Sequence, residues 1–133
     1  MKTIDRVWEN KNNGCCCGEN IMTLSLEDLD WKPEARTDMI KVMRAYCGGL
    51  DEGLACGALC AARAALFLAE EDKAKARDEL GPELMSWFKE RFGTWNCADI
   101  IEGDLERRQT LCPTLVADTY DKLYGIFKDA GAI

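Results

Sequence analysis

Apolar residues recur along this chain at helical spacing, and no segment alternates in the way a half-buried strand does. Ile21, Met22, Leu26 and Leu29 fit a short helix over 19–29, which Asp30-Trp31-Lys32-Pro33 ends. Pro33 suits the first position of a second helix, with Met39, Ile40, Val42, Met43 and Tyr46 on one side and a stop at Gly48-Gly49. A third helix, from about Ala55 to Glu70, is alanine-rich and carries Leu59, Ala62, Leu66 and Ala69 in register. Its small side chains permit close approach, which predicts a buried central helix. Residues 70–81 are highly charged and read as a solvated helical face, with Gly81-Pro82 kinking or dividing the helix. Leu84, Trp87, Phe88 and Phe92 then line one core face up to a capping Gly93.

Asn96 is the candidate N-cap of one or two turns reaching Ile101, and 102–110 is a polar connector. The last helix is predicted to begin at Cys112-Pro113 and to bury Leu115, Val116, Thr119, Tyr120, Leu123, Tyr124 and Phe127. The pattern predicts an all-α fold, an irregular bundle of five or six helices. Residues 1–14 form a polar, flexible lead, and 15–133 one helical cysteine-rich domain.

Composition narrows the chemistry. With 133 residues, 47% hydrophobic and 31% charged, the chain has room for one core and is too apolar for disorder. A net charge of -7 without a basic, aromatic-lined groove argues against nucleic acid. The N-terminal stretch lacks an apolar h-region, and the most apolar run, Leu54 to Ala69, is interrupted by Arg63 and too short to span a bilayer. The expected location is therefore the cytoplasm, away from membranes. In that reducing compartment, eight cysteines argue against a disulfide framework and for thiol, metal or cluster chemistry. Histidine is absent, which removes Cys-His and Ser-His nucleophile pairs, His-containing zinc sites and His-ligated haem. No phosphate-cradling or dinucleotide-binding glycine motif occurs.

The densest chemistry lies in Tyr46 to Ala61, where a glycine-rich loop runs into the third helix with Cys47, Cys56 and Cys60. Cys56, Cys97 and Cys112 each fall at or within a turn of a predicted helix N-terminus. There the macrodipole contributes about 0.3–1 kcal/mol toward a thiolate, up to about 2 kcal/mol when partly buried, and about 1.36 kcal/mol is one pKa unit. Cys47 and Cys60 read as small core residues on apolar faces. Cys56 and Cys60, four apart, have Cβ atoms about 5–6 Å apart on a helix, too far for an easy disulfide but within reach of a shared metal. Adjacent Cα atoms about 3.8 Å apart disfavour bonds within Cys15-Cys16-Cys17. Cys15 and Cys16 read as a mobile thiol pair, and Cys17 as the member that approaches the core.

The order Cys17, a glycine-rich loop into Cys56-Gly57-Ala58, then Arg91-Phe92-Gly93-Thr94-Trp95-Asn96-Cys97, then Cys112, resembles the C-GCAxxG-C-C family of redox-active proteins over about residues 15–125. The resemblance implies a small helical protein in which these four cysteines are redox-active or bind a metal or iron-sulfur centre. Cys15, Cys16, Cys47 and Cys60 lie outside the pattern, and Cys60 is a candidate extra ligand or resolving thiol. Three readings follow. The first is a thiol-disulfide or electron-transfer protein in which Cys56 attacks and Cys17, Cys97 or Cys112 resolves, served by a redox partner protein. The second is a zinc or iron-sulfur protein with Cys17, Cys56, Cys97 and Cys112 as ligands. The third is a non-catalytic helical interaction module. A homodimer is compatible with all three.

Overall fold

The computed structural model describes residues 1–133 and contains seven helices and no strand, so the class is all-α, with more helices than the five or six expected. They are α1 (Thr3–Asn12), α2 (Cys17–Asp28), α3 (Pro33–Val42, continued by a 3-10 turn at Met43–Tyr46), α4 (Gly57–Ala69), α5 (residues 73–92), α6 (Cys97–Ile100) and α7 (Arg107–Asp129). One core of 22 buried residues unites them. Alanine-rich α4 is central, as its small residues predict: Ala58, Ala61, Ala62 and Ala65 are wholly buried beneath α2 and α7. Helix α3 instead lies at the periphery with no buried residue over Pro33–Val42, and Val42 is 58% exposed.

Three elements depart from the sequence reading. The polar lead, expected to be flexible, is helical over Thr3–Asn12 and lies against α7, with Val7 wholly buried. Asn20 of α2 secures it, donating to the Val7 carbonyl at 2.9 Å and accepting from Asn10 at 3.1 Å. Ile4, Val7 and Trp8 do recur at helical spacing, a signal that the polar composition around them masked. Second, a π-helical stretch not expected from the sequence runs up to Gly81-Pro82, where the expected division of the helix falls. A widened π-helical turn at Ala76–Leu80 precedes the proline, whose ring crowds the turn before it. Third, α7 starts at Arg107, and Pro113 lies inside it. Pro113 removes one backbone donor without ending the helix, because the turns beyond it bury Leu115, Val116, Tyr120 and Leu123.

The other end of the bundle is fixed by a polar knot. Arg6 of α1 grips both oxygens of Asp28 at 3.0 Å, and the buried Tyr120 hydroxyl donates to the same carboxylate. Tyr120→Phe is expected to lower stability by about 1.5–3 kcal/mol, the range for a hydrogen bond to a charged group. Urea unfolding measures it.

Candidate redox site: a cavity lined by cysteines

Four separated segments bring the motif cysteines together. Cys17 opens α2, whose entry is fixed by Glu19: its carboxylate accepts the Cys16 N–H at 3.1 Å and the Arg44 guanidinium at 2.8 Å. Cys56 is the N-cap of α4, and Cys97 the first residue of α6 behind the predicted N-cap Asn96. A reciprocal pair of backbone bonds sets these two: Cys56 N–H to the Trp95 carbonyl and Cys97 N–H to the Leu54 carbonyl, both 2.7 Å, across an isolated Ala55–Asn96 bridge. The loop leading to Cys56 turns left-handed through Gly48, Gly49, Leu50 and Asp51, with Leu50 at φ 62° and Asp51 at φ 57°. Two non-glycine residues in this region are costly backbone, which persists where surroundings over-determine it.

Close approach at the helix starts depends on two glycines, each following a motif cysteine. A Cβ at Gly57 would lie 2.6 Å from the Tyr46 carbonyl oxygen and 3.0 Å from the Cys47 Cα. At Gly18 it would lie 2.9 Å from the Met43 carbonyl and 3.5 Å from the Cys47 sulfur. Without side chains there, the starts of α2 and α4 close on Cys47.

The result is a cavity of about 230 Å3 lined by Cys17, Cys56, Cys97 and Cys112 together with Cys15, Cys16 and Cys47. Cys60 is the exception. It lies half-buried on another face of α4, in a groove with Tyr46, Arg63 and Phe67, and so does not join the other sulfurs as an added ligand or resolving thiol. Cys16 and Cys47 are bonded to each other, with Cα atoms 6.3 Å apart, and the other six cysteines are free. This corrects two expectations: Cys16 is no mobile thiol, and Cys47 no simple core residue. Adjacency within the triplet excluded bonds among its members but said nothing of a partner 31 residues away.

Electrostatics do not favour the expected helix-terminal thiolate at Cys56. Burial pushes the Cys56 thiol from 9.0 up to about 12, with Cys17 nearby adding to the rise, and backbone N–H groups at the start of α4 only partly oppose it. Burial likewise raises Cys17, and it raises Cys112 to about 11 with help from Cys17 and Cys97. Magnitude decides: a helix terminus supplies at most about 2 kcal/mol, roughly 1.5 pKa units, whereas full desolvation shifts a group by up to about 3–5 units. Cys112 also lies inside α7, away from its N-terminus. As separate groups these thiols rest protonated, and each discourages ionisation of the next.

Arg108 is the residue that the sequence reading missed. Its Nη2 donates toward the Cys97 sulfur at 3.8 Å, its Nε is buried without an acceptor, and its charge favours the Cys112 thiolate. It lies in the polar stretch before Cys112, and because α7 begins at Arg107 it stands one helical turn before that cysteine.

All-thiol donors suit a soft metal or an iron-sulfur cluster by type. As placed they do not fit one: no three Cys, Asp or Glu side chains stand together so as to hold a metal ion. No helix is long and apolar enough to cross a membrane.

Comparison of the chain with curated proteins and with solved structures finds no match. The sequence model of one family, described as "Putative redox-active protein (C_GCAxxG_C_C)", matches residues 15–126, which include the four cavity cysteines of the pattern and the aromatic helix between them. The chain therefore belongs to the C_GCAxxG_C_C family.

Proposed function

We propose that this chain carries redox equivalents as dithiol-disulfide changes among Cys17, Cys56, Cys97 and Cys112. One observation carries the reading: four cysteines from distant segments line one cavity, in a chain without histidine, beside a disulfide already formed on the same wall. Thiols pushed up by burial and by one another lose that penalty when two of them join as a neutral disulfide. The oxidised form is thus compatible with the apolar surroundings that a set of free thiolates is not. Cys56 attacks once deprotonated: at the N-cap of α4 the Ala58 and Leu59 backbone N–H groups favour its thiolate, and Cys17 and Cys112 stand near enough to resolve the bond it forms. Arg108 faces Cys97 and supports negative charge on sulfur as bonds exchange. A redox partner protein supplies or removes the electrons.

The test is a redox titration of metal-free chain in buffers of graded reduced-to-oxidised dithiothreitol ratio, quenched in acid and mapped by mass-tag alkylation. Two or more of Cys17, Cys56, Cys97 and Cys112 are expected to lose and regain label across the series, while Cys60 stays labelled. Constant labelling of all four would contradict the proposal and return weight to an interaction module.

A second reading, a metal or iron-sulfur centre on the same four thiols, is favoured by their exclusively soft donor set, and requires side-chain rotation to assemble. Anaerobic purification followed by metal analysis and a visible spectrum separates the two. Stoichiometric metal with sulfur-to-metal absorption supports the centre, whereas colourless, metal-free and fully folded chain excludes it as a structural requirement.

A further inference from the structure

The Cys16–Cys47 bond stands outside the four-cysteine pattern, yet both of its sulfurs belong to the cavity wall. A purely structural staple has no need of that place. It joins the N-cap of α2, one residue before Cys17, to the residue that enters the left-handed loop toward Cys56. The glycines after Cys17 and Cys56 are what bring these parts together. Gly57 packs on the Cys47 backbone and Gly18 against its sulfur. Cys16 and Cys47 are also only half-buried, so the bond is reachable from outside, whereas Cys56 is 6% exposed.

We propose that the Cys16–Cys47 disulfide is a second redox couple of this chain, exchanging with the Cys17 and Cys56 thiols and accessible to an external dithiol. The inference rests on the proposed redox role of the four cysteines and adds an entry point to it. The Cys56 thiolate attacks the Cys47 sulfur; the Cys16–Cys47 bond breaks, a Cys47–Cys56 bond forms, and Cys16 leaves as thiolate and takes up the proton that Cys56 lost. Cys17 as thiolate then attacks the Cys56 sulfur, closing Cys17–Cys56 and releasing Cys47, which takes the second proton. Two electrons and two protons pass from the Cys17/Cys56 pair to the Cys16–Cys47 bond, and no outside reactant is consumed. Direct attack of Cys17 on Cys16 is disfavoured, because neighbouring Cα atoms lie about 3.8 Å apart and a disulfide usually needs about 4.4–6.8 Å. An external dithiol can reduce either bond, becoming a disulfide itself.

The dithiothreitol series described above tests this when read on Cys16 and Cys47. Both are expected to gain label together, their oxidised-to-reduced ratio changing about tenfold for each tenfold change in the dithiothreitol ratio, as a two-electron couple requires. Chain fully reduced and then given one equivalent of oxidised dithiothreitol should hold both Cys16–Cys47 and Cys17–Cys56 peptides, in a ratio independent of chain concentration. In Cys56→Ser chain, Cys16–Cys47 should still form, and Cys17 should no longer exchange with it. A Cys16–Cys47 bond that persists at every ratio leaving the chain folded would overturn the proposal, as would the absence of any Cys17–Cys56 peptide. Should Cys97 or Cys112 cycle with Cys17 or Cys56 while Cys16–Cys47 stays fixed, this inference falls and the four-cysteine function stands. Should Cys16–Cys47 alone respond, both fall.

Discussion

Gly57→Ala is expected to destabilise the folded chain by about 1–3 kcal/mol, the range for forcing an added group into a packed site. The added Cβ would meet the Tyr46–Cys47 peptide backbone, the Tyr46 carbonyl at 2.6 Å and the Cys47 Cα at 3.0 Å, so no side chain can rotate to relieve it. Either α4 withdraws from Cys47 or the left-handed loop shifts, and both separate Cys56 from the other sulfurs. Loss of stability should thus come with slower thiol exchange in the cavity. Gly125→Ala is the matched control. It lies in α7 with nothing within 4 Å of its added Cβ, and should stabilise by about 0.5–1 kcal/mol through the ordinary helix preference for alanine. Urea midpoints of the two variants should move in opposite directions. A Gly57→Ala chain as stable as the parent would mean that the α4–Cys47 contact is looser than described.

How much of this was legible in the sequence depended on whether the cause was local. Pro33 at a helix start, Gly93 in its left-handed cap and the Leu84–Phe88 core face were legible, because capping and periodicity are set by neighbours within a turn. So was the cysteine pattern over 15–126. The state of those cysteines was not. Helix-terminal placement of Cys56 was read correctly, but its ionisation is governed by burial under elements distant in the chain. The Cys16–Cys47 bond depends on α3 folding back over α2, which no spacing announces. Arg108 was hidden because α7 starts at Arg107, ahead of the proline that looked like its first residue.

Stability should also fall steeply at alkaline pH, through the same buried thiols. Cys56 and Cys112 ionise near 9.0 when unfolded, but at about 12 and about 11 in the fold. Below 9.0 both states hold the protons and the full stability is present. As pH rises from 9.0 toward 12 the unfolded chain ionises first, so the folded state loses ground progressively until the folded thiols ionise too. Tyr120, raised by burial and by Asp28, acts in the same direction, so the cysteine part is isolated by comparison with Cys56→Ala and Cys112→Ala. Those variants should show a flatter decline in urea midpoint with pH than the parent. In the folded parent, alkylation of Cys56 should accelerate about tenfold per pH unit below its ionisation, as a thiolate-limited reaction does. Equal slopes in parent and variants would contradict the raised thiols.

The central claim is that Cys17, Cys56, Cys97 and Cys112 share one cavity and Cys60 does not. A short bifunctional thiol reagent applied to the folded, metal-free chain, followed by peptide mapping, tests this most directly. The account predicts intramolecular bridges between peptides carrying Cys17, Cys56, Cys97 and Cys112, with Cys60 modified only singly. Bridges that join Cys60 to Cys56, or an absence of any bridge among the four, would contradict it.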